Sequence, residues 1–191
     1  MQFSKKPYFM IINEWYTYDK EQGIYVLTDK ATKEAKESYK RFYNLFKHKS
    51  DKSYKKYLKE YSKYEEMLEK KYWVEKIKNL IDELEKYEGT KWSDLKEDKG
   101  TITMSYPIYQ KWIYEIFELI EPCFTYNEIV EEIQRNKISI ERFTYKQVQA
   151  TLTYIERSER FCDGSIAQNL ENGTIKKLLE RLIELPYKGE N

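Results

Sequence analysis

The stretch from Asp51 to Glu88, DKSYKKYLKEYSKYEEMLEKKYWVEKIKNLIDELEKYE, contains neither proline nor glycine. With nothing to remove a backbone donor or loosen the chain, it is helix-compatible from end to end. Its apolar register changes midway. Tyr54, Tyr57, Tyr61, Tyr64 and Leu68 step by three and four, and a second series, Trp73, Ile77, Leu80, Leu84 and Tyr87, begins five residues after Leu68. A five-residue step turns the apolar stripe around the helix, so either the helix breaks near Lys70 or its halves face different partners. The pattern predicts two modules, residues 1–70 and residues 71–191.

Upstream, Tyr8 to Thr28 reads as a β-hairpin, with an aromatic and β-branched run through Tyr16, Thr17 and Tyr18, a turn around Asp19 to Gly23, and a return strand from Ile24 to Leu27. Thr28 or Asp29 can cap a following helix whose core stripe is Ala35, Tyr39, Phe42 and Phe46 and whose end falls near His48 to Asp51. Downstream, Gly89 to Gly100 reads as a polar loop containing Trp92, followed by an extended piece from Thr101 to Ser105. Pro107 suits the first turn of a helix carrying Trp112, Ile113, Ile116, Phe117 and Ile120, which stops before Pro122. Further helices are expected at Tyr126 to Arg135, Thr144 to Glu159, Ser165 to Glu171, and from Ile175 to Pro186. The fold class is therefore mainly α with a small N-terminal β-hairpin (α+β) and a multi-helix C-terminal domain.

The 191 residues carry a formal net charge of +1, which argues against function by global electrostatics. The charge is nevertheless polarised. Lys36 to Lys63 holds ten Lys or Arg against three acids, a local balance of +7, whereas Ile113 to Gln134 holds six Glu and no basic residue. The 19 tyrosines suit surfaces that are apolar on one side and wet on the other. The apolar run Tyr8 to Ile12 is too short for a signal peptide and no segment reaches the roughly 20 apolar residues of a membrane span, so a cytoplasmic protein without membrane contact is expected. Cys123 and Cys162 form no C-x-x-C pair and fit a reducing compartment.

Chemistry has few candidates. His48 is the only histidine, at the end of a Lys-rich helix, and reads as a helix-terminal charge. One His and two distant Cys do not make a zinc site, the glycines build no phosphate loop, and neither a metal nor a cofactor is expected. The run Glu159, Arg160, Phe161, Cys162, Asp163, Gly164, Ser165 reads as a specified corner, with Gly164 left-handed and Ser165 capping the next helix. Functionally, Arg157 and Arg160 would hold an anion while Glu159 or Asp163 acts as a base. Structurally, Glu159 and Arg160 would pin two helices while Phe161 and Cys162 face the core, which accounts for every residue of the run. A helix-turn-helix is disfavoured because Leu178, Leu179, Glu180 and Leu182 stand where base-reading groups would be needed.

Lys52, Lys56, Lys59 and Lys63 form a stripe opposite the tyrosines, and Lys36, Lys40 and Lys47 form another on the preceding helix; Arg41 alone there offers a bidentate fork. These faces suit phosphates or an acidic protein, and equally suit a solvated amphipathic surface.

Three segments carry a resemblance: Thr103, Met104, Ser105, Tyr106, Pro107; the Arg157 to Gly164 run; and Gly173 to Leu182 with Leu178, Leu179, Arg181 and Leu182. Through them, residues from about 74 to 185 resemble a domain-of-unknown-function family found in bacteria, their phages and mobile elements. The resemblance implies a mainly helical domain and a mobile-element setting, and assigns no reaction. Small proteins of that setting without enzymatic signatures are often inhibitors or adaptors acting on host machinery, including CRISPR immunity. The expectation is a non-enzymatic binding protein gripping a host protein or ribonucleoprotein through Trp15, Tyr16, Tyr18 and the Lys36 to Lys63 faces. The alternatives are a nucleic-acid-binding module led by the lysine helices, and an enzyme with an Arg and carboxylate site near Arg160. Homo-oligomerisation fits the polarised charge.

Overall fold

The computed structural model describes residues 6–47, 54–93, 97–98, 101–102 and 105–187. It divides into two compact units, Met1–Tyr72 and Trp73–Asn191.

In unit 1, two 3-10 turns, Tyr8–Met10 and Asn13–Trp15, lead into an antiparallel hairpin of β1 (Tyr16–Asp19) and β2 (Ile24–Leu27), with Tyr16 opposite Leu27 and Asp19 opposite Ile24. The turn is set by Asp19, whose carboxylate accepts from the backbone N–H groups of Glu21 and Gln22, and by Gly23 at φ +67°. The run from Tyr8 to Asn13, expected to be part of the hairpin, is instead wound up. This buries Tyr8 and Phe9, which an exposed two-stranded ribbon would leave wet.

Helix α1 spans Lys33–Lys47. Its entry is held by the Thr32 hydroxyl, which accepts from Ala35 N at 3.2 Å, so the cap falls three or four residues later than Thr28 or Asp29. Ala35, Ser38 and Leu45 are the buried residues of α1, with Tyr39 and Phe42 packed beside them, whereas Phe46 is 49% exposed. The expected stripe therefore ends on Leu45.

Helix α2 runs unbroken over Tyr54–Glu85. Before Tyr72 it lies antiparallel to α1: Glu34 meets Lys71 at 3.0 Å, Arg41 lies over the Tyr64 ring, and Phe42 meets Tyr61. Leu68, Tyr64 and Tyr72 belong to the core of unit 1 with Phe9, Trp15 and Ala35, while Trp73, Ile77 and Leu80 belong to the core of unit 2. The change of register is thus taken up without a break, because each half of the stripe has its own core.

In unit 2, short strands β3 (Lys91–Trp92) and β6 (Pro107–Ile108) pair antiparallel, as do β4 (Glu97–Asp98) and β5 (Thr101–Ile102) between them. Pro107 therefore sits in a strand and not in the first helical turn; Ser93 N donates to Tyr106 O at 2.8 Å and keeps the chain extended there. Helix α3 begins later, at Lys111, and ends at Phe117. Helices α4 (Tyr126–Asn136), α5 (Tyr145–Ser158), α6 (Ser165–Glu171) and α7 (Thr174–Glu184) complete the unit. The entry of α5 is a capping box: Thr144 accepts from Gln147 N and the Gln147 side chain accepts from Thr144 N. Helix α5 packs against α3, α4, α6 and α7, and its Val148, Leu152 and Ile155 meet Ile113, Ile116, Ile175, Leu178, Leu179 and Leu182 in one core. Buried Thr153 is satisfied, donating to Gln149 O and accepting from Cys123 N. Among the described residues no helix is long and apolar enough to cross a membrane.

Candidate functional site

The lysines stand where the helical period puts them. Lys36, Lys40 and Lys47 on α1 and Lys56, Lys59 and Lys63 on α2 are exposed, and among the described residues none has an ion-pair partner. Lys52 and His48 lie outside the described residues. A groove of about 290 Å³ runs between the two helices, with Lys40 and Asn44 on one wall and Tyr57 and Glu60 on the other. Arg41 is not the free fork expected of it. Its Nε donates to Glu37 at 3.0 Å and its guanidinium lies 4.2 Å from the centre of the Tyr64 ring, which ties α1 to α2.

The aromatic residues proposed beside these lysines separate. Trp15 is buried against Tyr8, with ring centres 5.4 Å apart, and Tyr16 packs edge-on against Phe9 and Tyr25. Only Tyr18 of the three is exposed, at 53%. Trp15 and Tyr16 follow a segment that coils back over them, and so serve the core of unit 1.

Glu65, one turn beyond Tyr61 on α2, gave no sign in the sequence. It is buried; one carboxylate oxygen accepts from Tyr8 N, and the other has no hydrogen-bond partner among the described residues. Burial, against contributions from Ser38, the Tyr8 N–H and Tyr61, pushes its carboxyl above the usual glutamate range, and Glu69 adds to the shift. A carboxyl that binds its proton more tightly folded than unfolded contributes stability that is fully present below its unfolded pKa and lost as pH rises through its folded pKa. Glu65→Gln should therefore make unit 1 more stable than the native chain at pH 7, with the advantage vanishing in acid. Urea melts of both proteins at pH 4 and pH 7 check this; a variant less stable at both would mean that the carboxylate is the favoured form.

In the corner of unit 2, Gly164 is left-handed at φ +93° and precedes α6. A Cβ there would stand 2.8 Å from the Trp92 indole, so both conformation and space call for glycine. The cap comes from Glu159, five to seven residues upstream, and not from Ser165. Glu159 Oε1 accepts from Gly164 N at 3.0 Å and Oε2 from Ile166 N at 2.7 Å. Tyr109 completes the set, donating to Glu159 Oε1 at 2.8 Å and accepting from Ala167 N at 3.1 Å. Burial, and then its bond to this carboxylate, push the Tyr109 phenol well up, so it remains a donor at neutral pH. Two otherwise orphaned N–H groups of α6, those of Ile166 and Ala167, and the N–H of the preceding Gly164 are thereby satisfied.

This arrangement employs both oxygens of Glu159 structurally. Arg160, Asp163, Phe161 and Cys162 point elsewhere: all four are exposed, Phe161 at 91%, and Arg157 is half-buried. The expectation that Phe161 and Cys162 face the core is thus corrected, because the chain leaves α5 at Ser158 and carries them around the outside of the turn. Sequence reading does not single out Tyr109, whose one local signal is a place two residues beyond Pro107, just past the short strand β6.

A second concavity, this one in unit 2 and of about 840 Å³, opens between α3, the segment that follows it, and α5. Tyr114, Phe117 and Tyr145 line it together with Glu118, Glu121 and Glu156, and no Lys or Arg is among its lining residues. Here the acidic run Ile113 to Gln134 meets a glutamate of α5 that lies far from it in sequence.

The model of a family of unknown function, DUF6508, matches residues 69–186. The chain belongs to this family. The matched span includes the Glu159 corner and the acidic groove, and the lysines of α1 and of the first half of α2 lie outside it. No curated protein and no solved structure matches the chain.

Proposed function

We propose that the protein is a non-enzymatic binding protein that grips an anionic partner, a host protein or ribonucleoprotein, through the lysine surface of unit 1. The observation that carries this reading is the set of six exposed lysines on α1 and α2, none ion-paired among the described residues. Elsewhere on the same helices Lys71 is paired with Glu34, so acids of this chain do reach lysines where geometry brings them close. Lysines left bare are point charges suited to phosphates or carboxylates without base specificity. Exposed Tyr18 offers an aromatic contact in the same unit. On the resemblance described above, the setting is a phage or mobile element and the partner belongs to a host defence system in the cytoplasm, which the protein inhibits.

The test is affinity isolation at low salt from a bacterial host with intact defence systems, using the native chain and the triple variant Lys56→Glu, Lys59→Glu, Lys63→Glu. A specific partner should be retained by the native chain and bound about 100-fold or more weakly by the variant, since like charges then face each other. Circular dichroism checks that the exposed substitutions leave the fold intact. Equal retention of the partner by both proteins would remove the lysine surface from the proposal, and capture of nucleic acid alone would favour the nucleic-acid-binding module instead.

A further inference from the structure

We infer that the acidic groove of unit 2 is a docking site for the lysine surface of a second copy of this chain, giving a head-to-tail self-association. The groove is walled by side chains of two kinds. Tyr114, Phe117 and Tyr145 supply apolar faces, and Glu118, Glu121 and Glu156 supply charge that no ion pair among the described residues neutralises. Glu115 on the same helix, in contrast, is matched by Lys76 at 3.8 Å. An open cavity of about 840 Å³ with aromatic walls and bare carboxylates suits long aliphatic stems that end in ammonium groups, because the stem covers the rings while the head meets the acids.

The chain itself presents that chemistry. Lys36, Lys40 and Lys47 project from α1 and Lys56, Lys59 and Lys63 from α2, all exposed and without ion pairs among the described residues. The +7 stretch of unit 1 and the acidic stretch of unit 2 are the two extremes of a molecule whose net charge is only +1. Their complementarity is therefore between copies as much as toward any foreign partner, and it survives at high protein concentration, where a second copy is always present. Because donor and acceptor surfaces differ, the contact is heterologous: each copy offers one lysine surface and one groove, and association continues into a ring or an open chain. The lysine surface is the one used in the proposed function, so self-association would occlude it, and a stronger anionic partner would release the monomer.

Sedimentation velocity over a range of concentrations at low and high salt tests this, using the native chain, a groove variant (Glu118→Gln, Glu121→Gln, Glu156→Gln) and a lysine variant (Lys56→Glu, Lys59→Glu, Lys63→Glu). The native chain should associate at low salt and dissociate at high salt, and each variant alone should stay monomeric. Mixed together, the two variants should form a species that stops at the dimer, since one brings the intact lysines and the other the intact groove. A native chain that stays monomeric at low salt, or association unchanged in the groove variant, would overturn the inference, as would a mixture that does not pair. The groove variant keeps every lysine, so its retention of the anionic partner reports on the proposed function separately from this contact.

Discussion

Trp15→Ala is expected to lower the stability of unit 1 by about 3–5 kcal/mol, the range for removing a buried indole from a packed core. Trp15 is 7% exposed, packs on Tyr8, and belongs to a core that also holds Phe9, Ala31, Ala35 and Leu68. Its backbone is tied in as well: Thr28 N donates to Trp15 O at 2.9 Å, closing the base of the hairpin. A cavity at this place would loosen the coiled segment before β1 and the hairpin after it together. Tyr18→Ala, in the same strand region but 53% exposed, should cost less than about 1 kcal/mol, as exposed substitutions do. Amide hydrogen exchange on the hairpin and α1 checks the pair: strong loss of protection in Trp15→Ala and little in Tyr18→Ala is the expected result. If Trp15→Ala kept its protection and lost only partner binding, Trp15 would be a surface anchor after all.

Glu159→Ala is expected to destabilise unit 2 by about 2–4 kcal/mol, because one carboxylate takes two backbone N–H groups and the Tyr109 hydroxyl, and hydrogen bonds to a charged acceptor are worth more than neutral ones. Its loss leaves Gly164 N and Ile166 N without their acceptor in a part-buried place and frees the end of α6 from α5. Glu159→Gln keeps one acceptor oxygen and should lose about half as much. Tyr109→Phe removes the donor to Glu159 and the acceptor for Ala167 N, and should fall between the two. Urea unfolding followed by circular dichroism measures the series. A Glu159→Ala protein as stable as the native chain would show that the corner holds itself by backbone conformation alone, and would return Glu159 to the list of groups free for chemistry.

The corner illustrates how far sequence reading reached. Gly164 was legible because a left-handed turn between two amphipathic helices calls for glycine. That Glu159 would supply the cap, with Tyr109 as its partner, was not. The cap lies five to seven residues upstream of the groups it holds, and Tyr109 is 50 positions away from Glu159. Ser165 held the local position that capping rules favour and lost it to a carboxylate brought in by tertiary packing. The lysine faces were legible, since steps of three and four on a helix fix which residues share a side. The burial of Trp15 was not, because an alternating aromatic run reads as hairpin whether or not the preceding segment folds back over it.

By itself the sequence determined the mainly helical character, most of the apolar stripe positions, the rotation of the stripe within α2 and the polarisation of charge, for these follow from period and composition within one segment; the start of α3 and the exposure of Phe46 and Tyr57 did not follow from it. The tertiary structure alone decided which aromatics are core and which are surface, that Glu65 is buried with an oxygen unmatched among the described residues, that Glu159 caps α6, and that Glu156 joins Glu118 and Glu121 around one groove. Each of those depends on residues distant in the chain meeting in space. The pattern of a single helix specifies its own faces but not which partner segment will cover them.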